Sequence, residues 1–395
     1  MESSTADRHE PGQVTSSTEE HGLANWVALF YDLVFVAAIL IFTKGVEDVH
    51  PATGGFWIVG VFVAAWWIWY STTLLVHRIQ DADLVHRMLL LFQMLVIVLM
   101  AMEARVSVDD DSAFLGFEFA LLLVSVSVMY LRAWRTSKLA ARAAGQLAAV
   151  NGVAALCFLL GITVGEPARL AIFVTGLLIS VVGTAIVWHG TVVFAAGDEA
   201  HYIERMAAFT LIVCGEAFIE NALAVSGATI SSIDLGSLVF EFILIFALFS
   251  SYFENIPPAG INPRRFRSWS GLHLVMQICI VATAVSATKL VGLDLGEHIP
   301  NDEILRLTIP LIVFYLALAG LDACSRRRPV APLAILHLVT ASAIGVVGVL
   351  AWYVPQIQLA EALPLIDLVA VAHLIAASKV RRRTEVLDPA VFAMA

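Results

Sequence analysis

Twelve apolar runs, each close to the length of a membrane crossing, follow one another along this chain with only short polar breaks. A helix needs about 20 mostly apolar residues to cross the hydrocarbon core. The candidate spans are 24–42, 55–76, 85–104, 113–132, 140–162, 169–190, 203–225, 236–254, 270–291, 304–322, 331–353 and 361–379. The runs are continuous rather than short and alternating, which excludes lipid-facing barrel strands. The expected fold class is therefore an all-α integral membrane protein of about twelve transmembrane helices. Composition agrees: 59% of residues are hydrophobic, 14% are charged, and mean hydropathy is +0.86, against roughly 25% charge in a soluble domain.

The basic residues orient these spans. With the N-terminus inside, the N-tail, the even-numbered loops and the C-tail hold 18 of the 23 Lys and Arg residues, and the odd-numbered loops hold 3. Cytoplasmic loops carry such an excess, so an N-in, C-in topology is expected. The opposite loops carry acids instead, among them Asp109, Asp110, Asp111, Asp294 and Glu303. Residues 1–22 are polar, acidic and without the basic start of a signal peptide, and read as a disordered cytoplasmic tail.

Cys157, Cys214, Cys279 and Cys324 are widely spaced in apolar surroundings, which suits small apolar fillers better than disulfides or metal ligands. Walker, Rossmann and CxxC motifs are absent, as are a nucleophile–base motif and a metal triad. No enzymatic activity and no cofactor are expected. The cytoplasmic arginine clusters suit topology and anionic lipid, not nucleic acid.

Weak correspondences at offsets near 180 residues suggest two six-helix halves related by an axis along the membrane normal. Leu29-Phe30-Tyr31-Asp32 matches Ala208-Phe209 in depth, Trp66, Trp67 and Tyr70 match Phe246, Phe249 and Tyr252, and Leu90-Leu91-Phe92-Gln93 matches Leu274-Val275-Met276-Gln277. The division expected is a tail over 1–22, a first half over 23–195, a second half over 196–380 and a short cytoplasmic C-tail over 381–395.

An ionisable residue inside a span costs at least ~2.5 kcal/mol at the helix centre and therefore needs a partner, water or a function. Asp32 and Glu216 lie well inside apolar runs. Glu216 and Glu220, four apart, share a helix face. Glu204, Arg205, Glu254 and His273 form an expected cluster at the cytoplasmic mouth, with His201 and His189 on the same side. Lys289 is the natural counter-charge for Glu216, Glu220 or Glu241, although a lysine near a helix end also snorkels to the headgroups. His189, His273, His337 and His373 read as satisfied core residues. The stretch Trp57, Trp66, Trp67 and Trp69 reads as packing and interface anchoring.

The segment Asn25-Trp26-Val27-Ala28-Leu29-Phe30-Tyr31-Asp32-Leu33-Val34-Phe35-Val36 resembles the ELFFDLVFV-like first helix of the bacterial low temperature requirement protein A family. His201-Tyr202-Ile203-Glu204-Arg205, with Phe209 and Gly215-Glu216, is similar to that family's H-x-x-ER-x-x-x-F and GE segment. Tyr252-Phe253-Glu254 and His273 supply a third match. Ala28 replaces the usual Glu, Tyr31 replaces the second Phe, and the Asp-rich segment after the second span is reduced to Asp81-Ala82-Asp83. The resemblance implies a multi-pass protein of the bacterial plasma membrane, with Phe30, Tyr31, Phe209, Gly215 and Tyr252 as motif packing positions. Phe30-Tyr31-Asp32 and Arg205-xxx-Phe209 are also similar to potassium channels that carry a Phe-Ser-Asp motif and two six-helix repeats.

The function expected is secondary transport, ion- or proton-coupled, through a polar site of Asp32, Glu204, Arg205, Glu216, Glu220, Glu254, His273 and Lys289. The alternatives are a cation channel with two six-helix repeats and a non-transporting membrane protein of stress adaptation. The partners expected are membrane lipids and a small solute or cation, in a monomer or homodimer.

Overall fold

The computed structural model describes residues 26–39, 41–42, 51–76, 83–106, 113–136, 141–189, 198–224, 235–255, 260–291, 300–325, 331–354 and 359–387. Among these the chain is all-helical, with twelve α-helices: α1 (Trp26–Ile39), α2 (Pro51–Val76), α3 (Leu84–Val106), α4 (Ala113–Thr136), α5 (Ala141–Gly161), α6 (Ala168–His189), α7 (Asp198–Ala224), α8 (Leu235–Asn255), α9 (Phe266–Val291), α10 (Asn301–Cys324), α11 (Ala331–Tyr353) and α12 (Leu359–Leu387). Ten of the twelve, α3 to α12, are long and apolar enough to cross a membrane. The described apolar stretches of α1 and α2 are shorter, Trp26–Ile39 and Val59–Leu75. The expected tail over 1–22 lies outside the described residues.

The outer surface is that of a multi-pass membrane protein. Leu91, Leu95, Leu99 and Met102 form an exposed stripe on α3, and Leu170, Val174, Leu178, Val182 and Ile186 another on α6. Spacings of three and four place each set on one helix face, and exposed apolar stripes of this length on membrane-length helices suit contact with lipid. Only 17% of the α6 span is buried, against 56% for α4 and α9, so α6 is peripheral and α4 and α9 are central.

Close packing replaces the hydrophobic effect between helices in lipid. Phe173 of α6 lies against Gly116 of α4 and Gly161 of α5, and a Cβ at Gly116 would stand 2.0 Å from its ring. A proline in a membrane helix needs similar help from its neighbours. Pro310 of α10 has no N–H to give the Arg306 carbonyl, and the Ser286 hydroxyl of α9 stands 3.0 Å from that oxygen. The same hydroxyl is 2.8 Å from Ala282 O, so its one proton is shared between two carbonyls.

The even-numbered connections meet at one end of the bundle. Asp83, before α3, pairs with Arg132 near the end of α4 at 2.6 Å. Arg267 near the start of α9 donates to Ala185 O near the end of α6 at 3.2 Å. The Ile261 N–H donates to the Glu199 carboxylate of α7, and Ile261 bridges Ser325 at the end of α10. This agrees with an even number of crossings between these connections, because a missed or extra helix would send later loops to the far side.

Candidate functional site

Asp32 and Arg205 meet in the interior. The Asp32 side chain is 0% exposed, and the Arg205 Nη2 atom donates to its Oδ1 at 2.7 Å. The same oxygen accepts from the indole Nε1 of Trp69 at 2.6 Å. Helices α1, α2 and α7 are thus joined at one carboxylate oxygen. Asp32 lies six residues into α1 and Arg205 seven into α7, so both are ~10 Å from the helix starts at 1.5 Å per residue.

The pair is electrically matched but incompletely hydrogen-bonded. Asp32 Oδ2 and Arg205 Nη1 are buried with no hydrogen-bond partner among the described residues. A carboxylate has about four acceptor positions and a guanidinium five donors, so each group retains capacity for a further ligand or water. Arg205 is 17% exposed, and one turn further out His201 and Glu204 form a solvent-exposed contact of 3.5 Å. An outer exposed pair therefore leads to an inner buried one.

Trp66, Trp67 and Trp69 of α2 do not anchor the protein at the membrane interface; the side chain of Trp57 lies outside the described residues. Trp66, Trp67 and Trp69 are all buried, and each indole N–H reaches a different helix: Gln277 of α9 at 2.7 Å, Ser180 of α6 at 2.7 Å and Asp32 of α1. An indole buried in an apolar setting must find an acceptor, and α2 supplies three such bonds within one turn. Trp69 also packs on Phe209 with ring centroids 4.3 Å apart.

Two glutamines extend this polar core. Gln93 of α3 accepts from Tyr31 at 2.6 Å and Thr72 at 3.1 Å, and donates to Ser125 at 2.6 Å. Gln277 of α9 accepts from Trp66 and donates to Thr210 of α7 at 2.8 Å. His273 is held between the Trp269 carbonyl at 2.9 Å and the Tyr252 hydroxyl at 3.1 Å. A neutral ring with its proton on Nδ1 satisfies both contacts, as expected of a core histidine. His337 and His373 are likewise buried and bonded, to Asn255 at 2.6 Å and Thr340 at 2.8 Å; the His189 side chain lies outside the described residues.

The remaining candidates are distributed along the bundle. Glu216 and Glu220 are buried on α7 but stand ~16 and ~22 Å of helix rise beyond Arg205, outside its reach. Glu254 is half-buried at the end of α8. Lys289 is half-buried on α9 and makes no ion pair with Glu216, Glu220 or Glu241 among the described residues. Its place in the last turn of α9 lets its stem run toward the helix end. Of the motif positions, Tyr31, Phe209 and Tyr252 are buried, whereas Phe30 is 56% exposed and Gly215 has open space at its Cβ position. Phe30 and Gly215 lie on outward faces because Tyr31 and Glu216, their neighbours, take the inward ones.

Sequence reasoning missed Trp69 as the partner of Asp32, and Arg205 as its counter-charge. It also passed over Asp367 of α12, Glu118 of α4 as a fully buried acid, and the cluster of Asp322, His337, Asn255 and Arg381. The available signal was polarity inside apolar runs: Gln93, Asn151, Gln277 and Asp367 each interrupt a span.

A search of curated protein sequences returned no match. The sequence profile of the bacterial low temperature requirement A protein family matches residues 23–377. That match covers nearly all of the helical bundle, including the Asp32 and Arg205 segments, and the chain belongs to the bacterial low temperature requirement A protein (LtrA) family.

Proposed function

We propose that this protein is a secondary transporter of the bacterial inner membrane, coupling movement of a small solute to a proton or cation, with Asp32 and Arg205 at its charged centre. The observation that carries this reading is the Asp32–Arg205 pair itself: two opposite charges on α1 and α7, each with hydrogen-bonding capacity left over, behind an exposed pair of His201 and Glu204. A buried ionisable pair in a membrane is expensive to keep and is a mark of an ion or substrate path. In an alternating-access cycle, a pair that opens and closes between two helices exchanges its partner for a ligand.

The end where the even-numbered connections meet carries Arg132, Arg135, Arg264, Arg265 and Arg267, so the positive-inside rule makes it cytoplasmic. Two features support a two-fold internal repeat. Gln93 of α3 bonds Tyr31 of α1, while Gln277 of α9 bonds Thr210 of α7. Helices α3 to α6 pack each on the next, and α9 to α12 do the same.

The test is flux in proteoliposomes under an imposed pH or cation gradient. Saturable, gradient-driven uptake that Asp32→Asn abolishes supports the reading. A non-saturating cation current makes the chain a channel instead. Absence of any flux from correctly inserted protein, across a panel of small solutes and ions, points to a non-transporting role.

A further inference from the structure

We infer that Glu241 of α8 and Asp367 of α12 form a proton-binding pair, holding one exchangeable proton between them at the opposite end of the bundle from Asp32 and Arg205. Both residues line one small cavity of about 10 Å³, room for a single water-sized occupant. Glu241 is 2% exposed and Asp367 6% exposed. Neither oxygen of Glu241, and not Oδ2 of Asp367, has a hydrogen-bond partner among the described residues. The other lining side chains, Leu244, Leu290, Leu307 and Ile366 among them, are apolar. Two carboxylates lining one otherwise apolar cavity cannot both be charged without compensation.

The charged groups on the surrounding helices do not supply that compensation. Lys289 of α9, one position before the lining residue Leu290, is half-buried and forms no ion pair with either acid among the described residues. Arg306 of α10, one position before Leu307, is held by Glu303 at 2.8 Å and Asp302 at 3.2 Å. Helix α7 meets α8 where Phe218 packs on Phe242 at 5.1 Å, and it brings only further acids, Glu216 and Glu220, which have contacts of their own. Glu361 of α12 is exposed and also engaged elsewhere. A hard cation such as calcium or magnesium takes six or more oxygen ligands, and the helical backbone here has its carbonyls in use. A proton needs only the two carboxyl groups. Uptake forms one O–H bond on either acid. The two carboxyl groups make no direct hydrogen bond, so that O–H reaches the other carboxylate through one water in the cavity both line. Release breaks the bond and returns the proton to water at the near membrane surface.

Glu241 lies six residues from the start of α8 and Asp367 eight from the start of α12, ~9 and ~12 Å from the helix ends. Proton binding there stands by itself. Its use in coupling rests on the transport reading above.

The experiment is infrared difference spectroscopy of the full-length protein in nanodiscs across pH, in H2O and D2O. The result expected is a carboxylic acid C=O band that shifts in D2O, persists in Asp32→Asn, and is lost in Glu241→Gln and in Asp367→Asn. Either variant alone carries the test where the other does not fold, and Glu241→Asp should retain the band at a shifted position. Two results overturn the proposal: unchanged spectra in the folded variants, or displacement of the band by sodium or potassium at fixed pH, which makes a metal cation the ligand. The two readings fail separately, since a present band without gradient-driven flux removes the transporter and leaves the proton pair.

Discussion

Asp32 and Arg205 are separated by 173 positions in sequence and 2.7 Å in space. Removing one member of a buried ion pair leaves the other charge uncompensated and costs roughly 3–5 kcal/mol. Arg205 keeps some access to solvent, so Asp32→Asn should fall at the low end, about 3 kcal/mol, and still insert and fold. Adding Arg205→Gln should recover part of the lost stability, because the orphaned charge is gone, while gradient-driven flux stays lost. Thermal unfolding in detergent of the two single variants and the double variant measures the coupling. Additive losses would mean that the two residues do not depend on each other.

Trp69 contributes two separable things to this centre: a hydrogen bond to Asp32 and packing on Phe209. Trp69→Phe keeps the ring and removes the donor. A hydrogen bond to a charged group is worth about 1.5–3 kcal/mol, so this variant should lose that order of stability and reduce flux less than Asp32→Asn does. Trp69→Leu, which also loses the aromatic contact, should be the less stable of the two. Equal unfolding temperatures for Trp69→Phe and the parent protein would remove the bond from the account.

Outside the membrane, Asp83 offers a pH-dependent contribution of known sign. The His86 N–H and the Arg132 guanidinium hold its carboxyl below the usual value of 3.8. A carboxyl depressed on folding stabilises the protein at pH above its unfolded value, and that contribution disappears as pH falls through the folded value. Unfolding of the parent protein should therefore become easier below pH ~4, as the carboxyl is protonated, by a component that Asp83→Asn lacks. The effect should be small and should fade with added salt, because the pair is exposed. A parent and variant with parallel stability profiles below pH ~4 would exclude it.

The helices were legible because the signal that defines them is length. A run of 20 apolar residues is long enough to average over individual side chains, and basic residues report the loops independently. The Asp32 and Arg205 positions were legible one at a time, Asp32 as a charge inside an apolar run and Arg205 as part of a charged cluster at the mouth of the seventh span. Their pairing was not, because two helices 173 positions apart can present many faces to each other and rise along one helix says nothing of which neighbour stands beside it. The tryptophans of α2 show the same limit. Amphipathic rings at a span's end suit the headgroup region, and only the arrangement of Gln277, Ser180 and Asp32 around them puts those rings inside. Asp367 was legible only as a charge inside an apolar run; that it shares a cavity with Glu241 of α8 depends on which helix stands beside α12.

The topology makes a last prediction that the contacts already constrain in part. Asp83–Arg132 holds the connections after α2 and α4 together, and Arg267–Ala185 and Ile261–Ser325 hold those after α6, α8 and α10 together. Trp69 near the end of α2 reaches Arg205 near the start of α7 through Asp32, so all five must share a membrane side whichever side that is. The distribution of Lys and Arg then selects the cytoplasm, because arginines on short loops resist translocation. Reporter fusions after Arg142, Arg267 and Arg328 should be cytoplasmic, and fusions near Asp110, Ser231 and Pro300 external. If all six report the reverse, the orientation is inverted and Asp32 opens to the outside, with the Glu241 and Asp367 pair toward the cytoplasm. If the first three fusions disagree among themselves, a helix has been miscounted, which the contacts at that end of the bundle forbid.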